Sequence, residues 1–315
     1  VGGLLPWDTA GPIEDGTSQR EDSVPIAQQG WLGGRTTIPY DHSDEPDNAF
    51  MQMATNLAPL NGQAFVRGRR VHHTDMRDGS HDESDANGVY GSLVGLAGPN
   101  HMEASCDGCH HRNGRAPVAA EGEALSAWVF KVGDQEGDPL PTVGRVLQSF
   151  GTDGPGEGQV SIASWDESDG LRRPVFSFSA GAPPRYSARI APQLVGIGLL
   201  EAIAEADVLA WEDPEDTDGD GGSGRGHRVP DPMTGETRLG RFGWKAGATS
   251  GRHQTADALN GDMGVMTSMF PDPDCGDEQL DCGNDSGAEL GDADLDDLVR
   301  YVSLLGIRAR RDLDA

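Results

Sequence analysis

The chain has 315 residues, and 52 Asp and Glu against 24 Lys and Arg give it a formal net charge of −28. Such a charge disfavours nucleic acid and anionic membrane surfaces as partners, because both are bound through Lys and Arg. Cations and basic redox proteins are the partners it favours, and a surface that only keeps the protein in solution is the alternative. Hydrophobic residues make up only 36%, and 45 glycines and 20 prolines predict a loop-rich protein without a membrane-spanning segment.

Residues 1–47 are rich in Gly, Pro, Asp and Ser and predict an irregular arm. The beginning of the chain lacks the basic and apolar parts of a secretion signal, so a signal has either been removed or was never there. Apolar residues at helical spacing follow in "NAFMQMATNLAPLNGQAFVRGRRVHH" and predict helical segments that break near Pro59 and Gly62.

Alternating apolar and polar residues at about 130–185 predict a small antiparallel β-meander. A helix is predicted within "APQLVGIGLLEAIAEADVLAWEDP", ending before Pro214. An amphipathic helix is predicted in "DADLDDLVRYVSLLG", with acidic residues in its first turn and apolar residues on one face. The apolar face consists of Leu295, Leu298, Val299, Val302 and Leu305.

The segment "EASCDGCHHRNGR" contains Cys106, Cys109 and His110 in the order C-x-x-C-H. Attachment of c-type haem needs this spacing, because two thiols add to the porphyrin vinyl groups while the adjacent imidazole binds the iron. A redox dithiol, a zinc site and a structural disulfide are the alternatives. The motif favours one covalent haem c, with His111 facing elsewhere.

The chain also resembles the bacterial di-haem oxidoreductases, a peroxidase-type family that is also described as thiol-oxidoreductase-like. The resemblance lies in segments that follow one another in family order: "NAFMQMATNLA", "LAGPNHMEASCDGCHHRNGR", "SARIAPQLVGIGLLEAI", "DTDGDGGSGR", "GRFGWKA", "QTADALNGDMGVMTSMFP" and "LLGIRARRD". It implies a haem-dependent oxidoreductase outside the cytoplasm, periplasmic or extracellular, with peroxide as a small oxidant and a redox protein as partner.

With this resemblance, the expected fold is mainly α with the small antiparallel β-meander, an elaborated cytochrome c-like haem domain. That domain covers residues 48–306, with the β insertion and an acidic loop at 213–231, and residues 307–315 form a tail. The family continues into a second haem domain with its own C-x-x-C-H, whereas this sequence holds one such motif. A mono-haem electron-transfer cytochrome or a structural subunit of a larger redox assembly is therefore the alternative function.

The second axial position of the iron has several candidates. The family resemblance favours Met263, and Met266, His253 and His101 are the alternatives. A Met ligand would favour electron transfer, whereas an open position would admit peroxide. Four further candidates for the haem pocket follow from the family motif and from chemistry: Arg241 and Lys245 for the propionates, Gln254 for an iron-bound ligand, and Trp244 as a radical relay.

The acidic loop carries Asp216, Asp218 and Asp220 at the spacing of half a calcium loop. An EF-hand is excluded because His227 occupies the twelfth position, where a Glu is needed. A structural calcium site completed by Asp231 and a solvated acidic turn both remain open.

Cys275 and Cys282 stand in "DCGDEQLDC" and predict a structural disulfide, with free thiols as the alternative. Such a bridge persists in the oxidising compartment where haem c is attached. In the chain-entropy account it would stabilise the fold by about 2.5 kcal/mol.

Overall fold

The computed structural model describes residues 26–38, 48–54, 56–152, 154–280, 283 and 286–310. Most of the predicted N-terminal arm lies outside these ranges, as does Cys282. About 25% of the chain is helical and 20% is strand, distributed over several small sheets. The prediction of a mainly α, cytochrome c-like fold is therefore wrong, and the reason is that only three of the described helices are 12 residues or longer.

The described residues contain six α-helices and ten strands. The helices are α1 (Pro59–His72), α2 (Cys106–Cys109), α3 (Ile197–Ala202), α4 (Glu205–Leu209), α5 (Gly251–Met263) and α6 (Asp292–Ser303). The strands are β1 (Thr37–Ile38), β2 (Asn100–His101), β3 (Trp128–Gly133), β4 (Phe150–Gly151), β5 (Val160–Ser168), β6 (Leu171–Phe178), β7 (Arg185–Ile190), β8 (Arg228–Pro230), β9 (Thr237–Leu239) and β10 (Ile307–Arg308). They form five two-stranded sheets, of which the pair β1 and β10 is parallel and the others are antiparallel.

The chain divides into two compact units. The first comprises Val1–Arg69, Leu194–Thr255 and Ala293–Ala315, and the second comprises Arg70–Gln193 and Ala256–Asp292. Each unit is therefore assembled from segments that are distant in sequence.

In the first unit, α1 packs against α6. The rings of Phe65 and Tyr301 lie 4.9 Å apart, Arg67 pairs with the buried Asp297, and Gly68 directly faces the backbone of Asp297. The predicted amphipathic helix is confirmed as α6, which ends at Ser303. Four residues of its predicted apolar face lie within the helix, and all four are buried. Leu305 lies beyond the helix but is buried in the same core.

Two predicted helix boundaries in the first unit differ from the structure. Helix α1 begins at Pro59 and continues through Gly62, so the predicted break at Gly62 is wrong. Proline suits the first position of a helix because its missing N–H would have no partner there. The helix predicted before Pro214 is divided into α3 and α4, because Ile203 and Ala204 have extended backbone angles.

In the second unit, β5 and β6 form a hairpin whose turn residues, Asp169 and Gly170, have φ of 54° and 76°. Positive φ at both positions suits a type I′ turn and the twist of the strands. Strand β3 pairs with β7, which lies on the far side of the hairpin in sequence. The predicted meander is therefore replaced by separate sheets, whose apolar residues share one core around Phe130 and Ile162.

Candidate haem-attachment site

The C-x-x-C-H motif forms a single helical turn in the second unit. Ser105 begins α2, and its Oγ accepts a hydrogen bond of 3.2 Å from the Gly108 N–H. The His110 N–H donates to the Cys106 carbonyl at 2.9 Å. Ser is a favoured N-cap residue because its hydroxyl satisfies an otherwise free backbone N–H. Both thiols and the imidazole are thus presented from one short turn.

The His110 ring is oriented by a residue that is distant in sequence. Its Nδ1 lies 2.8 Å from the Pro192 carbonyl oxygen, just beyond the end of β7. A carbonyl only accepts, so Nδ1 carries the hydrogen and Nε2 keeps its lone pair. Metal-binding histidines commonly have this arrangement, in which the second nitrogen fixes the tautomer and the ring. Burial lowers the pKa of His110, which favours the neutral, ligating form.

The two cysteines are free thiols. Cys109 is buried against three alanines, Ala116, Ala127 and Ala191, two of which flank the paired ends of β3 and β7. Burial raises the pKa of the Cys106 thiol to about 12 and that of Cys109 well above its usual value. A redox-active dithiol needs a lowered thiol pKa, so this environment disfavours a redox role for the pair.

A disulfide and a zinc site at the cysteine pair are disfavoured as well. The free thiols exclude a structural disulfide between them in this structure. Among the described residues, neither cysteine belongs to a cluster of three potential metal ligands, as a zinc site would require. Two free thiols and an imidazole with Nε2 available fit a covalently attached haem.

The C-terminal end of α5 lies against the segment that leads into the motif. The Gly98 N–H donates to the Met263 carbonyl at 3.0 Å, and the Met102 N–H donates to the Asp262 carbonyl at 2.7 Å. A side chain on Gly98 would press on Gly264, which itself has φ of 67°. The structure thus brings the buried Met263 to the approach of the haem motif.

Met266, His101 and His253, the remaining axial candidates, are placed differently. Met266 is fully buried, and its N–H donates to Glu289 at 3.1 Å, which indicates a packing role. In His101, Nδ1 lies 3.1 Å from the Gly98 carbonyl, so Nε2 is available. In His253, Nδ1 accepts from the Thr249 N–H at 3.1 Å. The neutral ring of His253 therefore carries its hydrogen on Nε2, which is unsuited to bind iron.

A family model described as "Di-haem oxidoreductase, putative peroxidase" matches residues 182–314. The family resemblance is confirmed for this part of the chain. The di-haem oxidoreductase match includes Pro192, Asp262 and Met263, but it begins after the C-x-x-C-H motif. Searches of the curated proteins and of the solved structures found no match. Within the described residues, no helix is long and apolar enough to cross a membrane.

The four haem-pocket candidates, Arg241, Trp244, Lys245 and Gln254, lie in the part of the chain that the family model matches. They belong to the first compact unit, whereas the C-x-x-C-H motif belongs to the second. Arg241 donates to the carbonyls of Leu200, Glu201 and Ile203 and so caps the end of α3. Trp244 and Lys245 are exposed, and Gln254 is half-buried next to Gly243. Their predicted roles at haem stay predictions.

The acidic loop of the di-haem oxidoreductase segment brings together Asp213, Asp216 and Asp218, with one carboxylate oxygen of each within 4.8 Å of the others. Asp220 accepts from the Gly222 N–H in a local turn, and Asp231 lies in the turn between β8 and β9. Calcium at this loop stays a prediction. The Cys275–Cys282 pairing also stays a prediction, since Cys282 lies outside the described residues.

A group of potential metal ligands that the sequence does not predict lies beside the motif. His72, His73 and Asp107 each offer a ligand atom, and these atoms lie within 4.8 Å of one another. The His-His dipeptide and the Asp between the two cysteines are visible signals in the sequence. Residues 72 and 107 are far apart in sequence, so their spacing does not predict a shared site. Tertiary packing brings them together.

A cavity of about 670 Å³ also lies in the second unit. Its lining includes Glu157, Phe178 and Gln279 but none of the motif residues. Burial raises the pKa of Glu157 to about 7, against the opposing effect of the hydrogen bonds from Gln148 and Gln279. This cavity is therefore separate from the haem-attachment residues.

Proposed function

We propose that this protein is an oxidoreductase of the di-haem peroxidase type, with haem c joined to Cys106 and Cys109 and His110 as an iron ligand. The observation that carries the proposal is the motif turn, with two free thiols and the His110 Nδ1 bound to the Pro192 carbonyl. The family match at residues 182–314 supports the oxidoreductase class.

Bound haem would supply one-electron redox chemistry at iron and, where an axial position is open, reaction with peroxide. Residues of this chain orient the iron ligand and bury one of the attachment cysteines. His110 offers Nε2 as the ligand atom, and the Pro192 carbonyl holds the ring in the ligating tautomer. The alanine cluster around Cys109 buries that thiol, which would be one of the two attachment points.

Asp262 is the group that we propose to hold a proton near the haem. Burial raises its pKa to about 6, with Lys131 opposing that effect, and its Oδ1 is buried without a hydrogen-bond partner among the described residues. Burial is the main cause of the raised pKa of Cys109, and the Asp262 charge adds to it, so the two groups interact. A carboxyl that titrates near neutral pH can accept or release a proton during peroxide reduction.

We also propose a location and a partner. Covalent haem attachment and a persistent disulfide both belong to the oxidising side of a membrane, so we place the protein in the periplasm or outside the cell. With a net charge of −28, a redox protein or haem domain with a basic surface is the fitting electron partner.

Expression with a cytochrome c maturation system tests the haem assignment. We expect one haem per chain that stays attached during denaturing electrophoresis, and loss of that haem in a Cys106→Ala, Cys109→Ala double variant. A matched Cys275→Ala variant should keep its haem. Wild-type protein that matures without bound haem would contradict the proposal.

A mono-haem electron carrier is the second candidate, and the contact of the Met263 carbonyl with the Gly98 N–H, on the segment that leads into the motif, favours it. A buried thioether on the iron would close the axial position and raise the reduction potential. Addition of carbon monoxide to the reduced holo-protein, and of peroxide to the oxidised holo-protein, separates the two functions. Spectral changes with both ligands support the peroxidase type, whereas an unchanged low-spin spectrum supports the electron carrier.

A further inference from the structure

A second group of potential metal ligands lies next to the haem motif, within the second unit. His72 is the last residue of α1 and His73 follows it, and both are 1% exposed. Asp107 stands between the two haem-attachment cysteines, with its side chain 14% exposed. Two imidazoles and a carboxylate thus share one largely buried region, where ionisable groups are costly unless their charges are compensated.

A second carboxylate lies beside His73. His73 Nδ1 lies 3.1 Å from both oxygens of Asp82 and 3.5 Å from Asp107 Oδ1. The Asp82 and Asp107 carboxyl groups therefore lie on the same nitrogen of His73 and close to each other. Two carboxylates this close need a shared proton or a cation between them.

A third imidazole and a third carboxylate lie near His73. His81 stacks on His73 with ring centroids 5.8 Å apart, and its Nδ1 lies 3.7 Å from Asp82 Oδ1. Glu83 lies 3.8 Å from the other nitrogen of His81. Three carboxylates and three imidazoles therefore meet in one small region, and a divalent cation would balance the acidic side chains.

The donor set indicates which cation fits. Calcium and magnesium prefer oxygen ligands alone, whereas two imidazole nitrogens with carboxylate oxygens suit zinc. Neighbouring ligand atoms in a tetrahedral zinc site are about 3.3 Å apart, given zinc–ligand bonds of about 2.0–2.1 Å. The separation of 3.5 Å between His73 Nδ1 and Asp107 Oδ1 is close to that value.

We propose that His72, His73 and Asp107 form a zinc site separate from the haem, with Asp82 at its edge. The site joins the end of α1 to the turn that carries Cys106 and Cys109. Its role is positional, because the metal fixes Asp107 and thereby the turn between the two attachment cysteines. The proposal does not depend on the haem assignment.

Metal analysis of the holo-protein, purified without a histidine tag, tests the site. After incubation with Zn²⁺ and gel filtration, we expect one zinc per chain by mass spectrometry, measured in parallel with iron. His73→Gln and Asp107→Asn should each weaken zinc binding at least about 100-fold. Asp216→Asn, in the exposed acidic cluster, is the matched control and should keep the zinc.

X-ray absorption at the zinc edge gives a second measurement, because the haem iron does not contribute there. We expect nitrogen and oxygen ligands with the scattering of two imidazoles. If the buried His73→Gln variant fails to fold, Asp82→Asn at the more exposed edge of the site replaces it, and a loss of zinc is again expected.

Three outcomes would overturn the proposal. They are the absence of stoichiometric zinc in the wild-type protein, full zinc retention in both ligand variants, and binding of Ca²⁺ in preference to Zn²⁺. Absence of zinc would mean that a shared proton balances Asp82 and Asp107. Failure of haem attachment instead removes iron while zinc remains, so the two proposals fail in distinguishable ways.

Discussion

The Nδ1 atom of His110 lies 2.8 Å from the carbonyl oxygen of Pro192, 82 residues further along the chain. His110 belongs to the C-x-x-C-H motif, and Pro192 belongs to the segment matched by the di-haem oxidoreductase model. This hydrogen bond therefore connects the predicted haem ligand to the part of the chain that the family model matches, and it leaves Nε2 available to bind a metal.

Replacement of His110 by Ala is expected to remove the proximal iron ligand. We expect at least about a tenfold loss of correctly coordinated haem per chain, because the motif requires the adjacent imidazole. The measurement is the haemochrome spectrum per milligram of protein, with and without added imidazole. His111→Ala is the control, since this neighbouring ring is exposed, and it should keep the wild-type spectrum. Equal spectra for both variants would exclude His110 as the ligand.

The axial role of Met263 can be separated from its role in packing. Met263→Leu keeps an apolar side chain but removes the sulfur, so we expect the reduction potential to fall by on the order of 100 mV. Met266→Leu is the matched control because Met266 is fully buried and its N–H is bound to Glu289. Spectroelectrochemical titration gives both potentials. A drop in the Met266 variant alone would assign the ligand to Met266 instead.

Alanine substitutions at two glycines of α1 are expected to change the stability of the protein in opposite directions. A Cβ on Gly68 would collide with the Asp297 backbone, so Gly68→Ala is expected to destabilise by about 2–4 kcal/mol. A Cβ on Gly62 would lie 3.9 Å from the Met53 side chain, an ordinary contact. Gly62→Ala should therefore stabilise by up to about 1 kcal/mol through helix propensity.

Urea unfolding of the two glycine variants and the wild type measures these effects. Equal destabilisation by both substitutions would mean that α1 does not pack against α6 through Gly68. Each variant serves as the control for the other, because both glycines lie in the same helix and both gain one methyl group.

The features predicted correctly from sequence are those that local residues determine. Helix α6 follows from its apolar period and acidic first turn. The haem attachment indicated by Cys106, Cys109 and His110 stays a prediction. Helix α1 passes through Gly62 because the cost of one helical glycine, about 1 kcal/mol, is smaller than the packing gain around Phe65 and Tyr301.

The features that sequence does not predict depend on contacts between distant segments. The predicted meander is wrong because β3 pairs with β7 across the intervening hairpin, an arrangement that strand patterns do not specify. The group of His72, His73 and Asp107 escapes sequence analysis because residues near 72 and 107 meet only in the folded chain. The Pro192 contact with His110 is of the same kind.

The pH dependence of stability provides a test of the cavity carboxyl, Glu157. Burial raises its pKa from 4.5 to about 7. The folded state therefore binds a proton that the unfolded state has released over this range, and stability is greatest below pH 4.5 and falls as the pH rises to about 7. The loss attributable to Glu157 is about 3 kcal/mol at most.

Glu157→Gln should remove this part of the pH dependence, because a neutral amide resembles the protonated carboxyl. Thermal unfolding between pH 4.5 and 8 is the measurement, and the variant should gain stability over the wild type towards pH 8. The exposed Glu121→Gln variant is the matched control and should follow the wild-type profile. If Glu157→Gln and the wild type lose stability in parallel, the carboxyl is ionised throughout this range, and the hydrogen bonds from Gln148 and Gln279 outweigh its burial.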